Sequence, residues 1–94
     1  MAAVSFARRW ADAYRLAWED GDATAAAALY RDDCLFRSAP FRGPEPPVSY
    51  TTRVFPEARA EDVRFGEPIE EGDRAAVEWW AVFVLPGGEE QTIE

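Results

Sequence analysis

Residues 5–20 set the terms for the rest of the chain. At about 100° per residue, Phe6, Ala7, Trp10, Ala11, Ala13, Tyr14, Ala17 and Trp18 gather into one broad stripe, and Arg8, Asp12, Arg15 and Glu19 fall opposite. A short helix of this kind is marginal alone and is held mainly by packing of its apolar face, so the chain must supply a surface to cover the stripe. Ser5 is placed to cap the first turn, though no acid completes a capping box. Gly21 suits the left-handed residue that closes a helix, and Asp22 can cap a second one at once. Residues 23–30 are Ala-rich and read as that second helix.

Arg31, Asp32 and Asp33 form a polar break, after which Cys34–Arg37 reads as a short strand. Residues 40–47 hold four Pro and a Gly, which excludes regular structure there. Pro46 or Pro47 can open a third helix with Val48, Thr51, Thr52 and Phe55 on one side, ended by Pro56. Strand signals follow at Val63–Glu70, then a turn at Glu71-Gly72-Asp73. Residues 74–85 read as the longest strand, with Ala75, Val77, Trp79, Ala81, Phe83 and Leu85 on one face. Ala76, Glu78, Trp80, Val82 and Val84 make the other face. Both faces are apolar, which predicts cover on both sides and, in a chain this short, a second subunit as the supplier. Pro86-Gly87-Gly88 turns the chain, and 89–94 begins a returning strand.

Composition narrows the classes of function. The chain has 94 residues, one domain's worth, with 18 acidic and 10 basic side chains and a net charge of −8. That balance speaks against a nucleic-acid backbone as partner and against a polybasic membrane contact. The cations are all Arg, with no Lys, Asn or His, as in a GC-rich bacterial genome. Without His there is no imidazole base, no Ser–His or Cys–His nucleophile and no His-ligated metal. Asp32 and Asp33 point to opposite sides with no other ligands beside them, so they read as turn caps, and neither metal nor cofactor is expected. Residues 34–56 form a positive island, three Arg against one Glu. Cys34 opens an apolar run and reads as a small buried hydrophobe. No N-terminal apolar stretch precedes Arg8 and Arg9, so a cytoplasmic location is expected.

The order of elements, with its Gly-Asp corner, "Leu-Tyr-Arg-Asp-Asp-Cys-Leu-Phe", Gly-Pro-Glu entry to the third helix and Trp-rich strand after "Glu-Gly-Asp-Arg", resembles the SnoaL-like branch of the NTF2-like superfamily. Ketosteroid isomerases, scytalone dehydratase and limonene epoxide hydrolase belong to the same superfamily. The resemblance implies an α+β fold over residues 1–94, a cone of N-terminal helices packed on a curved, mostly antiparallel sheet. It also implies that the chain stops before the last two strands. Its pocket would lie between the first helix, the first strand, the third helix and the concave face of the sheet.

By resemblance to ketosteroid isomerases, Tyr14 stands where a Tyr polarises the substrate carbonyl, seven residues before Gly21. The position matching that family's Asp base is Ser38, and the acid that partners the Tyr would lie beyond residue 94. A Ser without His or Lys cannot abstract a carbon-bound proton, so isomerase activity of that type is not expected. Catalytic residues stay unassigned, with Tyr14 and Glu78 as the candidates. Trp10, Tyr14, Phe36, Ser38, Arg53, Phe55 and Trp80 are the expected ligand-lining residues. Several have a plainer reading: Trp10, Tyr14 and Trp18 as core, and Glu78 and Trp80 as the rim of a dimer contact. Arg37 or Arg53, both in the positive island, could hold an anionic ligand group, against the plainer reading of a solvated or ion-paired Arg. Three functions stay open. One is a domain binding a small molecule in an aromatic-lined apolar pocket, with action on a polyketide-like or steroid-like compound as its enzymatic form. The second is a non-catalytic dimerisation or binding module, homodimeric through the sheet. The third is an inactive fragment.

Overall fold

A computed structural model describes residues 5–93. The first helix, α1, spans Phe6–Asp20 and is closed at both ends by the residues expected. The Ser5 hydroxyl accepts the Arg8 N–H at 3.1 Å. Gly21 adopts φ 65°, and the Gly21 and Asp22 N–H groups donate to Trp18 and Ala17 carbonyls at 3.2 and 2.9 Å. That pairing is a Schellman closure, which satisfies carbonyls the helix leaves open. Asp22 then caps α2 (Ala23–Ala27) by accepting the Ala25 N–H at 3.0 Å. This helix is shorter than 23–30: Leu29 and Tyr30 donate three residues back, to Ala26 and Ala27, and the chain tightens out of the α form.

The strand expected at Cys34–Arg37 reduces to one bridge, Phe36 with Glu45, two reciprocal hydrogen bonds of 2.7 Å. Pro44, Pro46 and Pro47 flank Glu45 and have no N–H to extend the ladder. Helix α3 runs Pro47–Val54 and passes into a 3-10 turn, Phe55–Glu57, that contains Pro56. Its buried side is Pro47, Thr51 and Phe55, whereas Val48 and Thr52 are exposed. The expected stripe was thus rotated, because Pro47 rather than Val48 meets the core.

Strand β1 spans Arg59–Phe65, four residues earlier than Val63. It pairs antiparallel with β4 (Trp79–Val84), and β4 pairs with β5 (Glu90–Ile93), giving the order β1-β4-β5. Between Glu61 and Arg64 the register slips, and Asp62 takes φ 51°. Asp62 and Val63 therefore face one residue of β4, a bulge with Asp in the left-handed position Gly usually holds. The slip puts both Ala60 and Val63 in the core, and a bulge bends the strand that carries it.

Residues 74–85 do not form one strand. Gly66 still donates to the Glu78 carbonyl at 2.9 Å, but Pro68 breaks the ladder just beyond. The chain resumes as a separate hairpin, β2 (Ile69–Glu71) with β3 (Arg74–Ala76). This hairpin docks on the start of α1, where the Ala7 N–H donates to Glu70 at 3.0 Å and Arg8 pairs with Glu67 at 2.7 Å. Glu94, the end of the expected returning strand, lies outside the described residues.

The α+β class is as expected, with helices first and antiparallel sheet after. Alternation along β4 turns Trp79, Ala81 and Phe83 toward the helices and leaves Trp80, Val82 and Val84 on the outer face, half-buried. Trp18 is 1% exposed at the centre of the core, its ring 3.9 Å from Phe55 and 4.8 Å from Phe83, centroid to centroid. Among the described residues, no helix is long and apolar enough to cross a membrane.

Candidate functional site

The inner face of β4 and the second half of the α1 stripe do not close completely. Between them lies an open cavity of about 260 Å³. Trp10 and Tyr14 enter it from α1, Trp79 and Phe83 from β4, and Tyr50 from α3. Tyr30, Phe36, Arg37 and Ser38 complete the lining from the loop after α2. The rings touch in sequence. Trp10 stacks on Tyr14 at 4.7 Å, Tyr30 meets both edge-on at 5.8 and 6.4 Å, and Phe36 joins Tyr30 to Tyr50 at 5.9 and 4.4 Å. Trp79 meets Tyr14 edge-on at 5.9 Å and stacks on Phe65 at 5.6 Å. Offset and edge-on contacts of this kind hold ring orientation as well as burying area. Arg37 and Ser38 sit at the solvent-exposed end.

All the tyrosines of the chain, Tyr14, Tyr30 and Tyr50, line this one space. Burial holds each above the ordinary phenol value. Desolvation raises Tyr14, opposed by the side chains of Trp18 and Tyr30 at its hydroxyl. Desolvation and then the charge of a neighbouring Tyr14 phenolate raise Tyr30, the furthest of the three, and push Tyr50 to about 12. The phenols are therefore neutral donors at physiological pH. The contact of Trp18 with Tyr14 falls short of hydrogen-bond geometry, and among the described residues the buried Trp18 Nε1 has no partner.

Four of the expected lining residues, Trp10, Tyr14, Phe36 and Ser38, meet here. Three do not, and each has a local reason. Arg53 is held on the outside by Glu45 through two hydrogen bonds of 2.9 and 3.1 Å, with its guanidinium 5.9 Å from the Tyr50 ring. Phe55 is buried in the core against Trp18 rather than facing the cavity. Trp80 is on the far side of β4 from Trp79. Glu78, the other catalytic candidate, is exposed in the break between β3 and β4. Tyr30, Tyr50, Trp79 and Phe83 were not among the expected set, whereas Arg37, weighed beside Arg53 as a holder of an anionic group, is in the lining. For Tyr50 the signal was the spacing Pro47, Tyr50, Thr51, Val54, a stripe as regular as the one chosen. For Trp79 and Phe83 it was the odd-numbered row of the strand, which has no charge, against the even row with Glu78.

In chemical terms the cavity offers ring faces, phenol and Ser hydroxyls and one guanidinium. Among the described residues its lining includes no carboxylate and no group that is a base at neutral pH. Nor do the described residues bring three or more His, Cys, Asp or Glu together as a metal site. Such a site can hold and polarise an acceptor oxygen, which is a weaker claim than catalysis.

Comparison with known proteins returned no matching curated protein and no matching solved structure. A family model described as "SnoaL-like domain" matches residues 7–94, which takes in every element from α1 to β5. With helices laid over a bulged antiparallel sheet and an aromatic cavity between them, the chain belongs to the SnoaL-like domains of the NTF2-like superfamily.

Proposed function

We propose that the domain binds a small ring compound in the aromatic cavity, with Tyr14 donating to an oxygen of the ligand. The supporting observation is the convergence of Trp10, Tyr14, Tyr30, Tyr50 and Trp79 on one open space, with neutral phenols as its donors. The volume of about 260 Å³ lies just below the usual range of ligand sites, about 300–1,000 Å³. It suits one or two fused rings; a polyketide-like or steroid-like ligand would extend through the open end past Ser38. By the resemblance to ketosteroid isomerases, Ser38 takes the position of their base, which favours binding without carbonyl isomerisation. The half-buried Cys34 fits the reducing cytoplasm as its location.

Calorimetric titration with 2-naphthol tests this reading. One site per chain is expected, weakened about fivefold by Tyr14→Phe, the value of one neutral hydrogen bond of about 1 kcal/mol. No heat of binding up to millimolar 2-naphthol would defeat it.

A second reading, a homodimerisation module, rests on the outer row Trp80, Val82 and Val84 of the central strand. Face-to-face pairing of two sheets would cover that row. Sedimentation equilibrium should then show a dimer that Trp80→Arg converts to monomer; a monomeric parent chain would end this reading.

A further inference from the structure

The charge around the cavity runs against the charge of the protein. The chain carries −8 overall, yet among the described residues Arg37 is the only charged one in the lining. Among the described residues Arg37 has no ion-pair partner, whereas its neighbour in the positive island, Arg53, is held by Glu45. Glu45 is the one acid of residues 34–56, and its carboxylate is taken up by Arg53 through two hydrogen bonds.

The rest of the lining points the same way. The phenols and Ser38 can donate to an oxygen, and a cation would meet ring faces and hydroxyl lone pairs without any carboxylate among the described lining residues. An aromatic enclosure alone would suit an ammonium ligand through cation–π attraction. Arg37 at the mouth opposes that use.

Building on the cavity reading above, we infer that the ligand is a ring-bearing carboxylate of one or two rings. Its ring lies among Trp10, Tyr14, Tyr30 and Trp79, and its carboxylate meets the Arg37 guanidinium at the open end. A planar fork of N–H donors matches a carboxylate, which a Lys ammonium does not do as well.

The test compares three ligands of one shape by calorimetry: 2-naphthoate, 2-naphthol and (2-naphthylmethyl)trimethylammonium. The expected order of affinity is carboxylate, then phenol, then cation. Arg37→Gln should weaken 2-naphthoate about tenfold, the low end for a charge-assisted hydrogen bond at an exposed guanidinium. It should change 2-naphthol less than about twofold. Arg37→Lys should keep part of the preference, and Arg42→Gln, in the same island but outside the lining, should keep all of it. Equal binding of 2-naphthoate and 2-naphthol, unaltered by Arg37→Gln, overturns the inference and leaves the cavity reading standing. Tighter binding of the cation overturns it too. Absence of binding by all three overturns both.

Discussion

A chain whose every tyrosine lines one desolvated cavity should titrate unlike ordinary protein. The perturbation is alkaline pH, read as phenolate absorbance near 295 nm, with far-ultraviolet circular dichroism reporting the fold in parallel. Unfolded in urea, the three tyrosines have the ordinary value of about 10, so pH 11 should show about 2.7 phenolates per chain. In the folded protein, Tyr50 at about 12 contributes about a tenth of a phenolate at pH 11. Tyr30, raised further, contributes less. Tyr14 is raised as well, so the folded sum stays below about one phenolate.

A phenol whose folded value is raised keeps its full contribution below pH 10, where both states are protonated. Above it the unfolded chain ionises first, and stability falls as pH climbs from 10 toward the folded values. Phenolate should therefore appear late and steeply, together with loss of the circular dichroism signal. A gradual titration centred near 10 in a chain that keeps its fold at pH 11 would mean solvated phenols, and the cavity described above would be wrong.

Three further outcomes test the scaffold. Trp18→Ala should cost about 3–5 kcal/mol by urea unfolding, a large part of the about 5–15 kcal/mol of a small domain, because Trp18 is 1% exposed between Phe55 and Phe83. Gly21→Ala should cost about 1 kcal/mol in the same assay: a Cβ there meets nothing within 4 Å, so the penalty is that of φ 65° alone. Asp62→Val should lower the midpoint by more than Asp62→Gly, since a β-branched residue resists φ 51°. Equal midpoints would show that the bulge is not held as described.

Legibility divided along a physical line. The parts of the fold determined by neighbours in sequence were readable: Ser5, Gly21 and Asp22 each do their expected work because caps depend on the local backbone alone. Pairing was less so. Nothing in Val63–Glu70 shows that Asp62 will take a left-handed conformation and shift the strand start to Arg59, since that is decided by β4 across the sheet. Breaking of 74–85 depended on Pro68, which lies opposite the break in space and ten residues before Glu78 in sequence. The residues were in view but their partners were not.

The same division explains the site. Trp10 and Tyr14 could be placed in the cavity because the helical stripe already oriented them, and Phe36 and Ser38 because the family resemblance located the segment after α2. Arg53 could not, because whether an Arg in a positive island serves a ligand depends on which acid reaches it first. Glu45 reaches Arg53, anchored there by its bridge to Phe36, and that pairing takes Arg53 out of the site. Arg37 is then the one charged side chain among the described residues of the lining. Cutting that pair with Glu45→Gln therefore sets Arg53 free beside Tyr50 without touching the cavity lining. If the carboxylate preference of the site belongs to Arg37, the preference survives this change; if it belongs to the island as a whole, it grows.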